Sequence, residues 1–223
     1  MPHYFLLHDS ARFVTEVQPA LAASRRQRSF EPCRSLCSEL APAVRAYGEA
    51  YHVSTAGALP LAVVEGLPFD RTFWRGLVDE ILLYGAVEMP EIQTAPDALA
   101  RLVTGGTGFQ TVPQAGSLCG ERELLPPILQ AHFGSRDLTF GAVCFRPEQV
   151  GINDQADVSR LGDCLTYVEP QLWRTTDLSN PCESNDADEL EAELDCLRTS
   201  FEQLRQLYER ARDHRQVVIC EVV

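Results

Sequence analysis

The sequence predicts an α+β protein in which helices pack on a mixed sheet that includes the N-terminal and C-terminal strands. Three observations lead there. Apolar residues recur as Leu190, Leu194, Leu197, Phe201, Leu204, Tyr208 and Ala211, alternating steps of four and three that form one stripe on a long helix. After it comes Gln216-Val-Val-Ile-Cys-Glu-Val-Val223, apolar on both faces, as an interior strand covered from both sides requires. The remaining strands and helices follow no regular βαβ rhythm. At 223 residues the chain is long enough for a real core and reads as a single domain, 1–223.

Taken in order, His3–His8 is the first strand. Asp9 or Ser10 caps a helix that turns Phe13, Val17 and Leu21 inward, and Pro19 bends or splits it. Ser35 caps a second helix to about Tyr51, with Pro42 near its first turns. Leu59–Val64 is the second strand, bounded by Gly57 and Gly66. Asp70 caps a helix carrying Phe73, Trp74, Leu77, Val78, Ile81 and Leu82, closed by Gly85. Pro96–Val103 is a short helix that opens on proline, and a long irregular loop fills 104–120.

Glu121–Phe133 follows as a helix ending at Gly134, in spite of Pro126 and Pro127. Leu138–Phe145 is the third strand. A short helix lies around Asp157–Leu165, with extended pieces near Thr166–Val168 and Gln171–Arg174. Asp186 and Glu189 resemble a capping box for the long helix 186–213, which leads into strand 216–223. Along that helix Glu183–Asp195 holds seven acids and no base, whereas Arg198–Arg215 holds five arginines against three acids. Acids at the N-terminus and bases at the C-terminus suit the helix dipole.

Composition narrows the chemistry. The net charge is −13 and all 19 basic residues are arginine. Without lysine there is no Schiff-base enzyme, no Walker A loop and no Ser–Lys dyad. An acidic surface repels nucleic acid and anionic membranes, so neither is an expected partner. There is no apolar run of about 18 residues for a membrane helix, and the N-terminal residues read as a strand and not a signal peptide. Eight cysteines without CxxC spacing indicate free thiols in a reducing cytoplasm. The Ala- and Arg-rich composition suggests a bacterial source. HExxH, GxSxG, GxGxxG and EF-hand patterns are absent, and nothing requires a cofactor.

Two groups of residues carry candidate chemistry. Cys119 follows a Gly-rich loop and immediately precedes the helix expected at Glu121. A thiolate there is favoured by free helix N–H groups, with His52, His132 or His214 as its base. His8 and Asp9 after the first strand, Glu65 after the second and Glu221 inside the last form a metal or acid–base set if the strand ends converge. Asp9 as a cap, and Glu221 bonded to an arginine such as Arg146, account for the same residues structurally. The leading expectation is a non-catalytic interaction or regulatory module of the inhibitor or immunity type, binding a protein partner or itself. A thiol hydrolase or transferase built on Cys119 comes second and a metal-dependent hydrolase third.

Overall fold

The computed structural model describes residues 2–7, 10–51, 68–88, 90, 92, 95–104, 120, 122–147, 149–178 and 187–222. It is α+β, as the sequence predicts. The contacts divide the chain into two interleaved compact units. The first comprises Met1–Tyr4, Met89–Leu138 and Arg146–Val223, and the second Phe5–Glu88 and Thr139–Phe145.

In the first unit, which holds the Pro2–Tyr4 part of β1 (Pro2–Leu7), the strand order is β1-β7-β6-β3, where β3 is Arg136–Asp137, β6 Val150–Asn153 and β7 Val217–Val222. The N-terminal and C-terminal strands are therefore neighbours. Pairing of β6 with β7 is antiparallel, with Val150 opposite Glu221 and Asn153 opposite Val218. Pairing of β3 with β6 is antiparallel as well. Val217, Val218, Ile219 and Cys220 are all buried, so β7 has both faces covered, as its unbroken apolar run implies.

The long helix α8, Ala187–Asp213, buries Leu194, Leu197, Phe201, Leu204, Tyr208 and Ala211. Those are the stripe positions of the sequence except Leu190, which is half-buried. Each fully buried Leu or Phe on that stripe contributes about 1.5–3 kcal/mol. Along it lies α7, Gln155–Thr166, opened by a capping box in which the Asp154 side chain accepts from the Ala156 and Asp157 amides. Helix α5, Pro96–Thr104, starts on its proline as expected.

In the second unit Leu6 and Leu7 of β1 pair with β2, Ala86–Glu88. Ser10–Arg12 (α1) and Gln18–Gln27 (α2) are joined by a π-helical turn at Phe13–Val17. Pro19 lacks the N–H that would continue the ladder into this turn, so the sequence's bend point becomes a wider turn and not a break. Helix α3, Arg34–Tyr51, contains Pro42 well inside it rather than near its start. Helix α4, Arg71–Gly85, begins where Asp70 accepts from Thr72 N at 2.5 Å. Its Trp74 donates to the Leu21 carbonyl at 3.2 Å and meets Phe140 and Phe145 edge-on. Phe73 points outward, 44% exposed, so it is not part of the buried face.

Three expected elements are corrected. The helix at Glu121–Phe133 is a short 3₁₀ turn, Arg122–Leu124, followed by α6, Pro127–Phe133. Two adjacent prolines remove two donors, and Pro126 is itself extended (φ −56°, ψ 151°). The strand Leu138–Phe145 is a hairpin of β4, Thr139–Phe140, and β5, Val143–Cys144, turning at Gly141 with φ 64°. The extended pieces after residue 165 are the end of α7 and two 3₁₀ turns, Pro170–Leu172 and Thr175–Asp177. The expected strand Leu59–Val64, nearly all of loop 104–120 and the Asp186 cap lie outside the described residues.

Two glycines of the first unit give opposite predictions. A Cβ on Gly151 would lie 1.9 Å from the Phe133 carbonyl oxygen, whereas one on Gly162 meets nothing closer than 3.7 Å. Gly151→Ala therefore destabilises by more than about 3 kcal/mol through forced backbone movement. Gly162→Ala, inside α7, stabilises by up to about 1 kcal/mol through helix propensity. Urea unfolding of the two variants checks both signs.

Candidate functional site

The first unit contains a polar cluster between α6, β6 and α8, and this cluster forms the floor of an open cleft. Asn153 on β6 is fully buried. Its Oδ1 accepts from the Ser135 amide at 2.7 Å and from the Ser135 hydroxyl at 2.6 Å. Its Nδ2 donates to the Gln130 carbonyl at 3.1 Å and to the Tyr208 hydroxyl at 2.7 Å. The Tyr208 hydroxyl in turn donates to the Ala131 carbonyl at 2.8 Å. The Gln130 amide nitrogen donates to the carbonyls of Glu123 and Leu125 at 3.0 and 2.6 Å. Its Oε1 accepts from Arg160 Nη2 at 2.6 Å.

Above this floor is a cleft of about 270 Å³ lined by Glu123, Gln130, Ser135, Arg136, Asp157 and Arg160. Arg160 reaches Ser135 at 3.1 Å and Asp157 at 3.2 Å. Arg136 bonds Asp157 and, at 2.5 Å, Asp154. Hydrogen bonds donated to Asp157 and Asp154 hold the Arg136 pKa above its usual value. Gln130 and Ser135 are almost completely buried, while the two guanidiniums are half-exposed.

A second buried arrangement fixes α6 to its surroundings. Arg122, 2% exposed, donates to Asp137 at 2.8 Å, to the Pro147 carbonyl at 2.6 Å and to the Phe133 carbonyl. The last of these satisfies a carbonyl at the C-terminal end of α6 with a cation. Asp137 also accepts from the Gly120 amide at 2.9 Å.

The sequence candidates fall elsewhere. Cys119, His52, His8, Asp9 and Glu65 lie outside the described residues. His132 is fully buried in α6, with Nδ1 2.6 Å from the Tyr4 hydroxyl and Nε2 without a hydrogen-bond partner among the described residues. Burial lowers its pKa to about 3. At neutral pH it is an uncharged core residue, and no thiol or metal-ligand group is joined to it among the described hydrogen bonds. His214 is exposed beyond the end of α8.

Glu221 is bonded at 2.5 Å to Arg146, the partner anticipated for it. Among the described residues no group of three His, Cys, Asp or Glu side chains is placed to hold a metal ion. Burial pushes the thiols of Cys33, Cys37 and Cys220 up to about 11, 12 and 12, which suppresses thiolate chemistry at all three.

The cleft residues were not singled out from the sequence. Gln130 lies on α6, Ser135 in the bend after it and Arg160 on α7, and no spacing rule connects them. The one visible signal was the acidic start of α7, where Asp154 and Asp157 stand three apart.

His132 and Arg122 each give a prediction. The His132 pKa is about 3 in the folded chain against an ordinary 6.5, so in that window the unfolded chain holds the extra proton. Its contribution is complete above the ordinary value and falls with pH toward the folded value, by up to about 1.4 kcal/mol per pH unit. His132→Leu flattens this part of a stability-against-pH curve measured by urea unfolding. Arg122→Met leaves the half-buried Asp137 without its cation and the Phe133 carbonyl without its donor, and costs about 3 kcal/mol in the same assay.

No helix among the described residues is long and apolar enough to cross a membrane. Comparison with protein-family models, with curated proteins and with solved structures finds no match to this chain.

Proposed function

We propose that the protein is a non-catalytic interaction module that binds a basic partner protein through the first two turns of α8. One observation carries the reading. The helix is 27 residues long, roughly 40 Å at about 1.5 Å per residue, yet its first buried side chain is Leu194. The turns before it present Asp188, Glu189, Glu191 and Glu193 to solvent. The dipole accounts for acids at this end, and a net charge of −13 adds long-range attraction for a basic surface. Complementary charge of this kind speeds encounter and selects against acidic partners.

An inhibitor-like or immunity-like role in a bacterial cytoplasm fits a Lys-free acidic chain rich in free thiols. The competing reading is a thiol enzyme built on Cys119. A reactive thiol would need a lowered pKa, and such a thiol alkylates faster than an ordinary exposed one.

Replacing Asp188, Glu189, Glu191 and Glu193 by their amides leaves the circular dichroism spectrum unchanged, because all four side chains are exposed. Affinity capture with the wild-type chain recovers a discrete basic partner, and the amide variant loses it. An identical result from both chains contradicts the proposal. In alkylation mapping at mildly acidic pH, Cys119 reacts no faster than exposed Cys196. A much faster Cys119 favours the thiol enzyme instead.

A further inference from the structure

The cleft floored by Gln130 and Ser135 carries unused hydrogen-bonding capacity of both signs. Arg160 makes all three of its bonds through Nη2, to Gln130, Ser135 and Asp157. Its Nη1 and Nε make none to the described residues. Arg136 bonds Asp157 and Asp154 through Nε and Nη2, which leaves its Nη1 without a described partner. On the same cleft, the exposed Glu123 carboxylate has no partner among the described residues. Unbonded donors of two arginines and an exposed acid thus line one cavity of about 270 Å³.

The lining holds two arginines and two acids, so its formal charge is zero. A simple anion gains little from a neutral site that already holds Asp157 between the guanidiniums. The α7 amides do not add to its attraction, since Asp154 caps them. A ligand with both charges gains at both ends. Its carboxylate takes the unused guanidinium N–H groups in charge-assisted bonds, and its ammonium takes Glu123.

Small apolar ligands are disfavoured, because every lining residue is polar or charged. We infer that this cleft binds a small zwitterion carrying a carboxylate and a primary ammonium, the chemistry of a free α-amino acid. The site is separate from the acidic turns of α8, so the two proposals stand or fall independently.

Gln130 and Ser135 act as positioning residues. Their bonds to Arg160 Nη2 fix that edge of the guanidinium at the cleft, and Asn153 holds Ser135 in turn.

The test uses the full chain and calorimetric titration with a panel of free amino acids. Each amino acid is paired with the same acid lacking its amino group, such as alanine with propionate. At least one amino acid binds with a dissociation constant below about 10 mM, and its deaminated counterpart binds at least about tenfold more weakly. Glu123→Gln, at an exposed position, erases this difference without changing the thermal unfolding midpoint. Arg160→Gln weakens both ligands.

Absence of binding by every amino acid overturns the inference, as does equal affinity for the acid and its deaminated form. An unchanged preference in Glu123→Gln does so too. If Arg160→Gln proves unfolded, the Glu123→Gln comparison decides alone.

Discussion

Asn153 has no exposure to solvent, and both ends of its amide are engaged by other parts of the first unit. Two bonds from Ser135 converge on its oxygen, and its nitrogen donates to α6 through the Gln130 carbonyl and to α8 through the Tyr208 hydroxyl. A neutral hydrogen bond contributes about 1 kcal/mol net, but an orphaned buried partner costs about 1–3 kcal/mol. Such a network is therefore stable only when complete. Because Asn153 sits on β6 opposite Val218 of β7, it sets the height at which α6 and α8 meet the sheet.

The rest of the first unit follows from that placement. With Tyr208 fixed at Asn153, the buried face of α8 packs along α7, α6 and α7 pack against β7, and no polar side chain interrupts Val217–Cys220. Turning α6 back onto β6 brings the Phe133 carbonyl against Gly151, where no Cβ fits. Arg122 satisfies the carbonyl left there. Ser135, held by the Asn153 oxygen, reaches the wall of the cleft together with Gln130. The cleft floor is thus the outer edge of the core network, and its rigidity comes from the core.

Much of this fold was legible where one kind of residue repeats at one spacing. The α8 stripe, the doubly covered β7, the Asp70 cap and the Pro96 start were readable because period, capping and proline chemistry act locally. The two termini as neighbouring strands also followed, since two apolar runs each needed cover. Short elements were not legible. Strands β3 and β6 have two and four residues, too few for alternation to register, and the strand expected at Leu138–Phe145 hid a turn that only Gly141 marks.

The site was less legible than the fold. Glu221 and Arg146 were matched by charge and by the cost of an unpaired carboxylate in a strand. His132 looked like a base because histidine titrates near neutral pH, and its burial against Tyr4 depends on tertiary packing. Gln130, Ser135 and Arg160 meet only after α6 turns back and α7 docks, so no linear pattern announces them.

The most direct measurement is a double-mutant cycle on Asn153→Ala and Tyr208→Phe, followed by urea unfolding at neutral pH. If the Asn153 network unites sheet and helices, each single variant loses stability and the two are coupled by at least about 1 kcal/mol. Additive losses, with coupling near zero, would contradict the account and leave α8 held by its apolar stripe alone.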